Sequence, residues 1–537
     1  MKRSNLTGCA LSAGLALVLA AVPLAGCMQG GEIDAGTPPA TSVAEAADDG
    51  TTGTVENGGS VSFAIEKGPG YVDAVEAEDA FSAGDLDWGY DPAAATAIAL
   101  TGSGAEIQGS GAVVDGSTIT ISAGGTYIIS GSLADGTIVV DVLDTEKVRL
   151  VLDGASIDNS SGAAIYVAHA DKVFITLADG TVSSLSTTGA DGTGIDGAIF
   201  SKDDLTINGT GTLEVSCTAG HGIVGKDDLT IVAATIDVSA SGHAIQANDS
   251  VGIAEAVLSL SAGADGIHAA NDEDVEEGWV YIVSGTVSIS SADDGIDASS
   301  AVQIDGGSIA ISADDDGVHT DRSLVQNDGA VTVEKSGEAY EGMTITVTGG
   351  TADLAASDDG LNATSGSSGS MIGWGMEYDS SARILITGGI IYLDALGDGI
   401  DSNGDFTMTG GEAYISGPTD DGNGTLDYAG TSTITGGTII AAGSAGMVQS
   451  ITAGGAQGVI MASATGESGT AISLEDADGT VLASYAPPKG FDSIVISAPG
   501  IEQGGTYTLR VGSSSRGITM DGLNYGGMGG MMGGGPR

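Results

Sequence analysis

A fixed period constrains this chain more than any other feature. Asp-Gly followed by an aliphatic residue appears at Asp265-Gly266-Ile267, Asp294-Gly295-Ile296, Asp316-Gly317-Val318, Asp359-Gly360-Leu361 and Asp398-Gly399-Ile400. The aliphatic anchors Ile223, Ile245 and Ile267 are 22 residues apart, as are Ile296 and Val318. Ile267 to Ile296 is 29 because Asn271 to Gly278 is inserted, and Val318 to Leu361 is 43, two units with Tyr340 between them. A period in this range is the signature of a repeat architecture whose units bury their apolar faces by stacking.

The pattern inside one unit says what it builds. After Gly295, apolar residues alternate at Val302 and Ile304, then at Ile309 and Ile311, with Asp305-Gly306-Gly307 between them. Period-2 alternation punctuated by glycine predicts short strands joined by tight turns. Three such strands in a 22-residue unit make one rung of a parallel β-helix, an all-β solenoid. Gly-Gly corners recur at Thr348-Gly349-Gly350, Thr387-Gly388-Gly389, Thr409-Gly410-Gly411 and Thr435-Gly436-Gly437, as stacked corners should.

Stacking gives the aspartates their interest. Neighbouring strands lie about 4.8 Å apart, so Asp294 and Asp316 stand nearly above one another. Carboxylates at that distance repel by about 1 kcal/mol in water and several-fold more where solvent is reduced. Doubled and tripled acids recur on successive rungs at Asp293-Asp294, Asp314-Asp315-Asp316 and Asp358-Asp359, accompanied by Asp265, Asp297, Asp321, Asp398 and Asp401. Such a column needs counter-charge, and Ca²⁺ is the cation that takes hard oxygen ligands in numbers. The alternative is that Asp-Gly supplies turn geometry alone, since both residues tolerate left-handed backbone. His221 and His243, also 22 apart, should stack; they offer either a transition-metal pair or a corner stack.

The formal charge of −57 becomes two units more negative without residues 1–26, which hold Lys2 and Arg3 and no acid. A surface of this sign repels nucleic acid and favours cations and metal-bridged anions. Lys2 and Arg3 followed by an apolar run from Ala10 to Leu24 read as a secretion signal. Leu24-Ala25-Gly26-Cys27 resembles the bacterial lipoprotein box, which implies lipidation of Cys27 and anchoring at the extracellular face of the membrane by acyl chains alone. Cys9 departs with the signal and Cys27 is the lipid site, so Cys217 stands alone and no intrachain disulfide is expected.

These features divide the chain into a signal peptide (1–26), a flexible acidic tether (27–77), the β-helix (78–445), a C-terminal cap or small β module (446–515) and a disordered Gly/Met-rich tail (516–537). Ser201-Lys202-Asp203-Asp204-Leu205-Thr206-Ile207 and Gly225-Lys226-Asp227-Asp228-Leu229-Thr230-Ile231 are nearly identical and one rung apart. Together with Phe81 to Tyr90, Ala164 to Leu177, Asn271-Asp272-Glu273-Asp274 and the Asp-Asp-Gly-Ile rungs, they resemble the bacterial carbohydrate-binding β-helix family, secreted proteins related in fold to polysaccharide lyases. The resemblance runs from about residue 78 to 515. It implies a right-handed parallel β-helix, calcium at aspartate-rich rungs and binding of cellulose or acidic plant polysaccharide, without implying catalysis. Ser241-Gly242-His243-Ala244-Ile245 departs from the family's acidic rung, which puts calcium there in doubt.

Two insertions break the rung spacing, Asn271 to Trp279 and Ser365 to Ser380. Insertions in a solenoid project from one face, often the binding face, which makes Trp279, Trp374 and Tyr378 candidates for stacking on sugar rings. The alternative is that these rings pack the loop roots onto the body.

Three functions fit: a calcium-dependent, non-catalytic polysaccharide binder acting as a monomer, a structural adhesin or spacer, and a calcium-dependent lyase. The lyase needs a basic side chain to remove the proton beside a uronate carboxylate. Arg322 is the best placed, with an ion pair to the neighbouring aspartates as its other role.

Overall fold

The structure, a computed structural model, describes residues 54–56, 59–65, 67–68, 70–188, 192, 194–271, 273–365 and 378–526, all within one compact unit from Ala46 to Arg537. Its single helical turn among these residues is Ala77–Ala80. The rest is strand and turn, and most strands belong to one large, mostly parallel sheet. No helix among the described residues is long and apolar enough to cross a membrane.

Most strands of the stack pair in parallel with the strand three places further along the chain, so three strands complete one circuit. In the first position His221–Gly225, Ile245–Ala247, Ile267–Ala269, Ile296–Ala298 and Val318–Gln326 follow one another. The pairing joins Ile223 to Ile245, Ile245 to Ile267, Ile267 to Ile296 and Ile296 to Val318, which are the 22-residue anchors and the pair bridging the first insertion. Tyr340, Leu361, Ile400 and Leu426 extend the column. All nine are essentially solvent-free, and each contributes about 1.5–3 kcal/mol by leaving water. Because every unit adds the same buried face, an insertion is accommodated by the loop while the column stays in register.

Glycine in the Asp-Gly-aliphatic motif acts by size. A Cβ on Gly295 would meet the Gly317 carbonyl oxygen and the Ile311 Cγ2 at 2.4 Å each, and Gly266, Gly317, Gly360 and Gly399 are equally crowded by the next rung. None of these five has left-handed backbone, so turn geometry does not explain the motif. Left-handed backbone belongs instead to the Gly-Gly corners, at Gly350, Gly389, Gly411 and Gly437.

Both ends of the stack differ from the sequence expectation. Residues 59–77 were expected in a flexible tether, yet Val61 and Val75 are buried with Phe81, Trp88, Trp279 and Tyr281. A polar latch holds this strap. Tyr71 and Tyr281 each donate to Asp305 Oδ2 at 2.5 Å, Asn327 Nδ2 donates to Asp305 Oδ1 at 2.8 Å, and Gln303 Oε1 accepts from the Ala74 and Val75 amides. At the other end Phe491–Ser497 pairs antiparallel with Thr438–Gly443 and Val459–Gly466, and a separate antiparallel sheet of four strands packs on it through Ile472, Leu474 and Leu509. Residues 516–526, expected in the tail, complete this module, because Ile518 and Met520 are buried in its core.

Candidate functional site

Two adjacent columns of charged side chains run across the rungs. The first lies two residues before the buried anchor: His243, Asp265, Asp294, Asp316, Glu338, Asp359 and Asp398. The second follows the buried anchor on the short strand: His268, Asp297, His319, Glu341, Asn362, Asp401 and Asp427, each in register with the next.

The first column is built into the fold. Asp265 Oδ1 accepts the Asp294 amide at 3.1 Å, Asp294 Oδ1 the Asp316 amide at 2.8 Å, and Asp316 Oδ1 the Glu338 amide at 3.1 Å. Asp359 and Asp398 accept the amides of Asp398 and Gly424 at 2.6 and 2.5 Å. Each aspartate thus spends one oxygen on satisfying the next turn's backbone and keeps the other for a different partner.

Histidine neutralises one part of this array. His268 Nδ1 lies 3.0 Å from Asp265 Oδ2 and 2.8 Å from Asp297 Oδ2, His243 Nδ1 is 3.0 Å from Asp265 Oδ2, and His319 Nδ1 is 2.7 Å from Asp297 Oδ1. Burial opposes charge on His268, but its two carboxylates carry it up to about 9. The bond to Asp297 does the same for His319, also about 9. Burial likewise opposes charge on Asp265 and Asp297, yet the imidazoles hold both below the usual carboxylate range. These two expected calcium ligands therefore already have cationic partners.

His221, His243 and His268 stack at 4.8 and 4.4 Å with interplanar angles of 8° and 12°, continuing the expected pair by one ring. Nearly parallel imidazoles cannot both aim an in-plane lone pair at one ion between them. The group of His243, Asp265 and His268 therefore fits a transition metal poorly, although its donor atoms are close.

Further along the ladder the carboxylates crowd one another, and His319 beside Asp294 offsets only part of this. Burial and neighbouring acids push Asp294 and Asp359 up to about 7, Asp398 to about 6 and Asp401 to about 8. Burial and the shared hydrogen bond with Glu338 also raise Asp316. Asp401 Oδ1 is buried with no hydrogen-bond partner. Asp293, Asp315 and Asp358 form an exposed outer tier. Donor oxygens of Asp293, Asp294 and Asp315, and of Asp315, Asp316 and Glu338, lie within 4.8 Å of one another. Such all-oxygen groups suit a hard cation of the Ca²⁺ type.

Other sequence candidates are placed elsewhere. Asp314 is exposed and paired with Lys335, and Asp321 is exposed on its strand. Arg322 Nη1 donates to the Val275 carbonyl at 2.8 Å in the first insertion, a bond that takes the place of the expected ion pair with the aspartate cluster. Trp279 is 9% exposed, and its ring packs against the strap rather than facing solvent. Tyr378 is 53% exposed. Trp374 and Cys27 lie outside the described residues. Sequence reasoning missed Glu338, Glu341 and Asp427, although Glu338 sits 22 residues after Asp316 and could have been found by position alone.

A family model described as carbohydrate-binding domain-containing protein matches residues 115–373. Over those residues the chain is similar to that family. The matched stretch holds the ladder from Asp265 to Asp359, whereas Asp398, Asp401 and Asp427 lie beyond it. A protein of the same description from Acetivibrio thermocellus is 37% identical over 128 residues, 23% of this chain and 45% of that protein. The match thus spans less than half of that relative's length. A solved structure described as the polysaccharide lyase-like protein from C. thermocellum, gadolinium derivative, is 31% identical, with a TM-score of 0.40 over 44% of this chain and 96% of that one.

Proposed function

We propose that this protein is a calcium-dependent, non-catalytic polysaccharide binder, held at the extracellular face of the membrane through Cys27 and acting as a monomer. Its repeats would form a right-handed parallel β-helix of 22-residue rungs. The carbohydrate-binding domain family supports polysaccharide as the ligand class. One observation supports the metal dependence: oxygens of Asp293, Asp294 and Asp315, and of Asp315, Asp316 and Glu338, lie within 4.8 Å of one another, and Asp294, Asp316, Asp359, Asp398 and Asp401 are all raised by burial and neighbouring acids, with His319 beside Asp294 offsetting only part of this.

The inner carboxylates Asp294, Asp316, Asp359, Asp398 and Asp401, with Glu338, would hold calcium. Bound there, the ion would supply positive charge able to accept oxygen ligands from a uronate. The exposed tier of Asp293, Asp315 and Asp358 would face the glycan, and without counter-charge it would repel an acidic chain. Backbone amides fix one oxygen of most inner aspartates, so the array is preorganised. The favoured ligand is an acidic glycan such as polygalacturonate, with cellulose as the neutral alternative.

Calorimetric titration of the mature protein with oligogalacturonate, with calcium and with chelator, tests the reading. Heat that requires calcium, with no rise in the ultraviolet absorbance of unsaturated uronate, supports it. Rising absorbance would move the protein to the lyases, and equal binding in chelator would remove calcium from the account.

A further inference from the structure

The third strand of each circuit turns one face outward, and on most rungs that face is small and hydroxylated. Ala256–Ala262 presents Ser259 and Ser261 beside a single aliphatic, Val257, and Gly285–Ser291 presents Thr286, Ser288 and Ser290. Ile390–Ala395 breaks the pattern, presenting Ile390, Tyr392 and Asp394 over about 13 Å of strand. Ile390 and Tyr392 are 37% and 41% exposed, and Leu396 just beyond is 55% exposed. In register, Tyr392 lies between Asp353 on one side and Tyr414 on the other.

The tyrosines stack. Tyr392 and Tyr414 are 5.3 Å apart at 16°, and Tyr485 of the C-terminal module continues the row at 5.5 Å. Tyr414 and Tyr485 have a packing role there, since both border the module's core. Tyr392 is 41% exposed, with the short side chain of Asp353 in register beside it. Three carboxylates surround the row. Glu412 accepts from Tyr414 Oη at 2.6 Å, Asp394 pairs with Lys489 at 2.8 Å, and Asp353 is exposed.

We propose that Tyr392, with Tyr414, Asp353 and Glu412 around it, is a subsite for a neutral polysaccharide chain, separate from the carboxylate ladder. The open ring and the aliphatic side chains beside it suit the C–H face of a sugar. Carboxylates at the rim accept hydroxyl protons in charge-assisted hydrogen bonds. The same carboxylates disfavour an acidic chain, because Lys489, which reaches this face, is committed to Asp394 and the Ala395 carbonyl. The inference rests on the reading that the protein binds polysaccharide, and it divides the two glycan classes between two faces.

The test is binding of cello-oligosaccharide and of calcium-loaded oligogalacturonate to the full mature protein, its Tyr392→Ala variant and its Tyr392→Phe variant. The expected result is cello-oligosaccharide binding that persists in chelator, weakens about tenfold in Tyr392→Ala, equivalent to ~1.4 kcal/mol, and is retained in Tyr392→Phe. A melting temperature equal to wild type checks that the alanine variant is folded. Unchanged cello-oligosaccharide affinity in Tyr392→Ala overturns the subsite. Binding of oligogalacturonate alone also overturns it while leaving the general reading intact, and binding of neither glycan overturns both.

Discussion

Gly295 lies so close to the Gly317 carbonyl and Ile311 that a single methyl group has no room. Gly295→Ala should therefore cost about 1–3 kcal/mol through overpacking, read from chemical denaturation. Charge supplies a second test at this scale. Asp401 holds an unpartnered buried oxygen among Asp359, Asp398 and Asp427. Asp401→Asn removes one repelling charge, so it should raise the melting temperature in chelator and shrink the rise that calcium produces. A lower melting temperature in chelator would mean that the carboxylate is stabilised by something other than a cation. The ladder also sets a pH dependence. Asp294, Asp359 and Asp401 titrate at about 7, 7 and 8 in the fold, against about 3.9 for a free aspartate. The folded protein holds the extra protons, so metal-free stability falls as pH rises between those values. His268 and His319, raised to about 9, stabilise below about pH 6.5 and lose that contribution as pH passes about 9. Asp265 and Asp297 are depressed, and their contribution is lost only as pH falls below about 4. Melting in chelator should accordingly be highest near about pH 4–6 and decline towards about pH 9; a flat or rising profile would contradict the electrostatics of the ladder.

Among the elements, the anchors Ile223 to Val318 and the Thr-Gly-Gly corners were legible in the sequence because every rung repeats the same local choice. Aspartates of the ladder were legible for the same reason. The strap was not, since Val61, Val75 and Tyr71 carry no periodicity and meet their partners more than 200 positions away, as Tyr71 meets Asp305. Trp279 was legible as a loop-root aromatic, but sequence could not say which way it faced. The register already sets His268 beside Asp297 across the insertion and Asp297 beside His319 at 22 residues, but the period alone does not say that these side chains pair. Asp305 anchors the strap, accepting from two tyrosines, Gln303 and Asn327. Asp305→Ala should cost about 1–3 kcal/mol for each donor left unsatisfied. It should also expose residues 59–80 to limited proteolysis well before the rungs; cleavage at the wild-type rate would show that the strap is held by its apolar residues alone.

At the scale of the molecule, a formal charge of −57 must be reconciled with the proposed binding of an acidic glycan. Histidine supplies that balance at one end of the ladder, and under the proposal the run from Asp316 to Asp401 would take it from an external cation. Neutral and acidic glycans would then use different faces, with the C-terminal module completing the tyrosine row. The deciding measurement is oligogalacturonate titration in calcium of wild type against an Asp316→Asn, Asp359→Asn double variant. Wild-type heat that disappears in chelator and is reduced at least about tenfold in the double variant is the predicted outcome. Equal affinity in the two proteins, at equal melting temperature, would contradict the assignment of the ladder as the glycan-binding centre.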